Sequence, residues 1–217
     1  MNAIIHPGIK QLIIAILLVV TGNIYGQTTN YDLSQLLKEN TLTVYSNSPA
    51  QPLNDNVYKG ISSKGIVWLN NVTFKDGTID IDLRGKDVFL QSFLGIAFHG
   101  IDTTTYEVIY FRPFNFRHAD TLRRKWSVQY MCLPDYDYDK LRKAHPLVYE
   151  NAVKPVPEPA NWFHATIAIK GDDVEVYVNH SREPSLKIKR LTSITDGKIG
   201  LWDDGLTGEF ANLSITR

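Results

Sequence analysis

Beyond residue 40 the chain is written in short runs of alternating apolar and polar residues. The cleanest is Gly77–Arg84, where Ile79, Ile81 and Leu83 face one side and Thr78, Asp80, Asp82 and Arg84 the other. A period of two is the mark of a half-buried strand. Trp162–Lys170 repeats it with Phe163, Ala165, Ile167 and Ile169, and the next run with Val174, Val176 and Val178. The turn Gly171-Asp172-Asp173 between those two runs predicts a hairpin. Further strands are expected over Thr41–Ser46, Val57–Ile61, Gly65–Leu69, Phe93–His99, Tyr106–Arg112, Ser127–Cys132, Ser185–Leu191, Lys198–Trp202 and Glu209–Thr216. Ser62-Ser63-Lys64 reads as a turn that breaks two of them. Helix is confined to Tyr31–Glu39 and a turn or two at Asp139–His145. Roughly a dozen short strands with so little helix predict an all-β fold, a two-sheet antiparallel β-sandwich or jelly roll.

Pro134–Pro159 interrupts the rhythm with Tyr136, Tyr138, Leu141 and several prolines. A loop of that length in a compact domain is usually functional or mobile, and here it reads as a flap or wall over a site. At the other end, residues 1–26 read as a signal peptide, with Lys10, an apolar run Leu12–Val20, and Ile24 and Gly26 before a cleavage point. The run is shorter than the ~20 residues that span a bilayer. The expected organisation is therefore a signal peptide, a polar lead over 27–40 and one sandwich domain over 41–217. Export to the periplasm or the medium follows, with no membrane contact after cleavage.

Charge and cysteine narrow the function. The chain has 23 basic and 23 acidic residues, and loss of Lys10 leaves 22 against 23. No basic face for nucleic acid or anionic lipid is implied, and an uncharged partner fits better. Cys132 is the single cysteine, so no intrachain disulfide forms. It follows Tyr130 and Met131 and reads as a small buried hydrophobe.

The segment Tyr106–Arg117 carries the strongest signal of a site. Its twelve residues include two Tyr, three Phe, two Arg and one Asn. Glu107, Ile109 and Phe111 point one way, and Tyr106, Val108, Tyr110 and Arg112 the other, until Pro113 ends the ladder. Flat rings beside Arg and Asn forks suit a sugar, whose apolar faces are edged with hydroxyls. Tyr110, Arg112, Asn115, Arg117, Gln129, Tyr130 and Trp162 form the candidate binding set. If the two central strands pair, Arg112 and Gln129 share one sheet face.

The ending Gly197–Thr216 resembles the closing hairpin of concanavalin A-like lectin/glucanase domains, jelly rolls that include laminin-G-like modules. The matching residues are Gly200, Leu201, Trp202, Gly208, Phe210, Asn212 and Leu213. The blocks Gly95–Gly100, Tyr110–Arg117 and Val128-Gln129-Tyr130 resemble a bacterial subset of that superfamily, secreted domains related to 3-keto-disaccharide hydrolases and family-16-like glycosidases. The resemblance covers about residues 40–217 and implies a saccharide partner and hydrolysis of a glycosidic or 3-keto-sugar bond, that is, a glycoside hydrolase acting on O-glycosyl compounds. A departure stands against it. The family-16 motif Glu-x-Asp-x-x-Glu has its nearest match at Asp80–Gly85, where Gly85 replaces the last acid. A retaining mechanism needs two carboxyls about 5–5.5 Å apart.

Candidate acids and bases are His99, which ends an apolar strand beside Gly100, Asp82 and Glu107. A lectin-like binding module and a laminin-G-like interaction module are the alternatives. No zinc spacing, P-loop, dinucleotide fingerprint or G-x-S-x-G is present. Asp135-x-Asp137-x-Asp139 imitates a calcium loop, but Lys140 and Pro146 exclude an EF-hand. A looser calcium site there or at Asp203-Asp204-Gly205 stays open.

Overall fold

A computed structural model of the chain describes residues 26–53, 55 and 57–217. The expected signal peptide lies outside the described residues except for Gly26. The first half runs β1 (Thr28–Tyr31), α1 (Leu33–Lys38), β2 (Leu42–Tyr45), β3 (Gln51–Pro52), β4 (Gly60–Phe74), β5 (Gly77–Arg84), β6 (Ser92–Gly100) and β7 (Tyr106–Phe111). The second half runs α2 (Thr121–Arg124), β8 (Val128–Leu133), α3 (Tyr138–Ala144), β9 (Glu150–Asn151), β10 (Phe163–Lys170), β11 (Asp173–Val178), β12 (Leu186–Lys189) and β13 (Gly197–Thr216). A 3-10 turn over Pro113–Asn115 follows β7.

The strands pair antiparallel and form two layers that share the long strands β4 and β13. One layer runs β12-β11-β10-β5 to the C-terminal half of β13. The other runs β9-β8-β7-β6 to the N-terminal half of β13, and from there to β4 and β2. The alternation read from the sequence sets the inward rows. Ile79, Ile81, Leu83, Ile167, Val174, Val176 and Val178 are buried in the same core as Leu94, Ile96, Phe98, Ile109 and Phe111. Phe111 meets Phe163 across the layers with ring centroids 5.1 Å apart. Each such side chain contributes about 1.5–3 kcal/mol when fully buried.

Two expectations are corrected. Ser62-Ser63-Lys64 is no turn, because β4 runs through it, and Ser63 is buried. Gly197–Thr216 is no hairpin but one bent strand of 20 residues. The bend lies where its register with β4 shifts between Asp203 and Gly208. Gly65 and Gly205 take φ of +83° and +87° there, and a Cβ at Gly65 would sit 2.4 Å from the Tyr45 carbonyl oxygen. Glycine is the residue that meets both demands. The buried Asp203 carboxylate accepts from the backbone N–H of Gly65 (3.2 Å) and of Gly208 (3.4 Å), pinning the corner. Burial pushes its pKa up to about 7, against those two donors.

The lead segment belongs to the sandwich. β1 pairs with the end of β13, and Leu33 of α1 is fully buried. The flap is likewise anchored rather than loose. Asp137 caps α3, Leu141 packs into the core, and β9 pairs with β8.

Candidate functional site

The outward face of the second layer carries a separate apolar cluster. Ile66, Trp68, Ala97, Tyr106, Val108, Tyr110 and Met131 form it, with Phe93, Leu133 and Trp202 packed against them. These are the alternate positions of β4, β6, β7, β8 and β13, and rows this apolar on an outward face need a cover. The flap, with α3, closes over one end and leaves a pocket of about 260 Å³. Phe93, Tyr110, Trp202, Tyr138, Met131 and Leu90 wall it, with Arg112, Arg142 and Asp204 as its charged side chains.

Its floor is a hydrogen-bonded network built from the β7–β8 pairing. Tyr110 lies opposite Gln129 in register, and the Tyr110 hydroxyl donates to Gln129 Oε1 at 2.8 Å. Arg112 Nη2 donates to that same Oε1 and to the Tyr110 oxygen, while Nη1 donates to the Trp126 carbonyl at 2.9 Å. Glu150 of β9 enters from the flap. Its carboxylate accepts from Arg142 Nε at 2.9 and 3.2 Å and from Nη2 at 2.6 Å, and lies 3.9 Å from Arg112 Nη1. Arg142 also lies over the Trp126 ring, 4.1 Å from its centroid, and Trp202 donates to the Tyr106 hydroxyl at 3.0 Å. Burial pushes the Tyr110 pKa up to about 12. It also lowers that of Arg112, an effect to which the charge of Arg142 adds.

Tyr110, Arg112 and Gln129 are thus brought together as expected, and the sheet face they share is the one read from the period. Asn115 sits behind them, donating to the Trp126 carbonyl at 3.1 Å. The other binding candidates lie elsewhere. Arg117 braces the loop at Val156–Glu158, pairing with Glu158 at 2.9 Å. Trp162 stacks on Tyr58, with ring centroids 4.2 Å apart and Arg84 above it. Tyr130 points into the core, because the residue after Gln129 on a strand faces the opposite way.

The three candidate catalytic residues do not meet the pocket. His99 and Glu107 are sealed between the layers at 0% and 1% exposure. Glu107 accepts from Arg190 Nε at 2.9 and 3.0 Å, from the Tyr130 hydroxyl at 2.5 Å, and lies 2.8 Å from His99 Nδ1. His99 Nε2 is engaged by the Lys75 carbonyl at 2.7 Å. The network ties β6, β7 and β8 to the end of β12, and no substrate reaches it. Gly100 makes room not for a ligand but for the Trp68 ring, 2.4 Å from where its Cβ would be. Cys132 shares this burial, which raises its thiol pKa to about 11.

Asp82 lies on the outward face of the first layer. Its carboxylate is 2.8 Å from His164 Nδ1 and accepts from Asn212 at 2.6 Å. Asp80 is 3.2 Å from His164 Nε2. Burial opposes the charge on His164, but the two aspartates outweigh it and raise its pKa to about 9. A protonated imidazole held by two carboxylates is an ion pair, not a general base.

Of the acids in the two calcium stretches left open, three are engaged within the protein. Asp137 accepts from Asp139 and Lys140 N–H, Asp139 pairs with Lys143, and Asp203 pins the corner. Among the described residues no three His, Cys, Asp or Glu side chains converge as metal ligands.

Sequence reading missed Phe93, Trp202, Tyr138 and Arg142 as pocket residues, and Glu150 as the carboxylate beneath them. Trp202 was within reach, since Ile199 and Leu201 turn inward and period two sends Trp202 outward. Nothing local marks Glu150, whose partner Arg142 lies on another element.

No protein-family model and no curated protein sequence matches the chain. Solved structures do. The carbohydrate-binding module CBM66 of Bacillus subtilis superposes with a TM-score of 0.53 at 14% identity, over 88% of this chain and 97% of that one. A Bacillus subtilis protein of unknown function with a galectin-like fold does so with a TM-score of 0.58 at 13% identity, over 88% and 96%. The likeness shows the fold alone, an antiparallel β-sandwich of the galectin-like, jelly-roll kind.

Proposed function

We propose that the chain is an exported carbohydrate-binding domain whose site is the pocket under the flap. The observation that carries this is the Tyr110–Arg112–Gln129 network flooring a pocket walled by Phe93, Trp202 and Tyr138. Rings take the C–H faces of a sugar, and fixed polar groups take its hydroxyls. At about 260 Å³ the pocket is just below the ~300–1,000 Å³ of drug-sized sites and suits a single sugar ring. A structurally similar protein being a carbohydrate-binding module supports the same reading. The apolar run before Gln27 supports export.

Binding is favoured over hydrolysis on chemical grounds. Glycosidic cleavage commonly uses two free carboxyls flanking the bond. Here Asp204 stands alone at the pocket, and Glu150 is engaged by Arg142 beneath it. The test is calorimetry of the purified protein against a panel of glycosides and 3-keto-glycosides, with product analysis on the same samples. Heat without product is expected. Product that vanishes in Asp204→Asn makes the chain a hydrolase, and no heat with any sugar defeats the saccharide reading.

A further inference from the structure

We propose that this pocket prefers a sugar bearing a carboxylate, of the uronic-acid kind, over its neutral counterpart; the proposal rests on the saccharide reading above. The reason is an imbalance of charge at the floor. Arg112 is 5% exposed and lines the pocket. The carboxylate nearest to it, Glu150 at 3.9 Å, is already held by Arg142 through three contacts of 2.6–3.2 Å. Two guanidinium groups therefore share one carboxylate, and among the described residues no other acid pairs with Arg112.

A buried charge without its own counter-ion is costly, and proteins rarely keep one without a use for it. Arg112 places three of its N–H donors on Trp126 O, Tyr110 Oη and Gln129 Oε1. A guanidinium has five, so the Nε–H and one Nη1–H carry no hydrogen-bond partner among the described residues. Its positive charge strengthens a hydrogen bond to a carboxylate more than one to a lone hydroxyl. Asp204 at the rim has the wrong sign for such a ligand, but it is exposed and its field is screened by water. Arg112 itself is buried, where the same charge counts for more.

An Arg112 variant risks unfolding the floor, so the charge is best removed from the ligand. Methyl uronides of the gluco, galacto and manno series would be titrated calorimetrically against the purified protein, beside the parent methyl hexosides and the matching uronamides. In at least one series the uronide should bind about tenfold tighter than both neutral analogues, equal to about 1.4 kcal/mol. That binding should weaken in Trp202→Ala. Neutral analogues that bind as well as the uronide overturn the proposal while leaving a saccharide site in place. Tight uronide binding unchanged in Trp202→Ala puts the ligand elsewhere and overturns it too. No heat from any member removes the saccharide reading, and this proposal with it.

Discussion

Replacing His164 by glutamine should lower stability by an amount that shrinks as the pH rises. His164 stands between Asp80 and Asp82 on the outward face of the first layer, and its ring stacks on His180 at 4.1 Å. Thr166 and Asn212 complete the surroundings by donating to Asp80 and Asp82 respectively. The folded protein holds the imidazolium proton to about pH 9, against 6.5 for the free side chain. A group whose folded pKa is raised adds stability that is complete below the unfolded pKa and gone above the folded one. The window is therefore about pH 6.5 to about 9. At ~1.36 kcal/mol per pH unit the ceiling is about 3 kcal/mol. The cluster borders solvent, with the His164 side chain 17% exposed, so screening brings the expected value to about 1–2 kcal/mol.

Urea unfolding of both proteins at several pH values from about 6 to about 10 reads the effect. Subtracting variant from parent at each pH removes other titrating groups that do not touch the cluster, including the corner carboxylate Asp203. The gap should be widest near pH 6 and mostly closed near pH 10. A gap that stays constant across this range, or widens with pH, would refute the ion-pair reading of His164.

Three further outcomes are expected. Gly100→Ala drives a Cβ to 2.4 Å from the buried Trp68 ring and should cost about 1–3 kcal/mol by overpacking, read as a lower urea midpoint with an unchanged slope. Glu107→Gln leaves Arg190 as a buried cation without its carboxylate and should cost about 3–5 kcal/mol; a melting temperature within a degree or two of the parent would contradict the sealed-network assignment. Trp202→Ala removes one pocket wall from a partly exposed position. Saccharide affinity should fall by ~2 kcal/mol or more in calorimetry, run at a temperature where the variant remains folded.

The sequence by itself determined the strand content and which rows turn inward. In β5, β10 and β11 the alternation is uninterrupted, and each strand buries the apolar row it predicts, because successive side chains must point to opposite faces. The same rule put Tyr110 and Arg112 on one face and Glu107 on the other. It also marked Glu107 as an oddity, an acid in line with Ile109 and Phe111. Local chemistry was legible as well in the tight turn at Gly171.

The tertiary structure alone decided where strands end and which distant groups meet. Whether glycine and serine reverse a chain or merely bend it depends on the neighbouring strand, and pairing between β4 and β13 carried both through their apparent turns. Glu107 finds Arg190 and Arg142 joins Glu150 at the pocket floor because the layers and the flap close around them. Arg117 and Trp162, aromatic-site candidates by composition, were drawn to a loop and to Tyr58 instead. Periodicity is a property of one strand's backbone and can be read along it. A charge partner or a pocket wall is set by the packing of the whole chain, in which sequence distance counts for little.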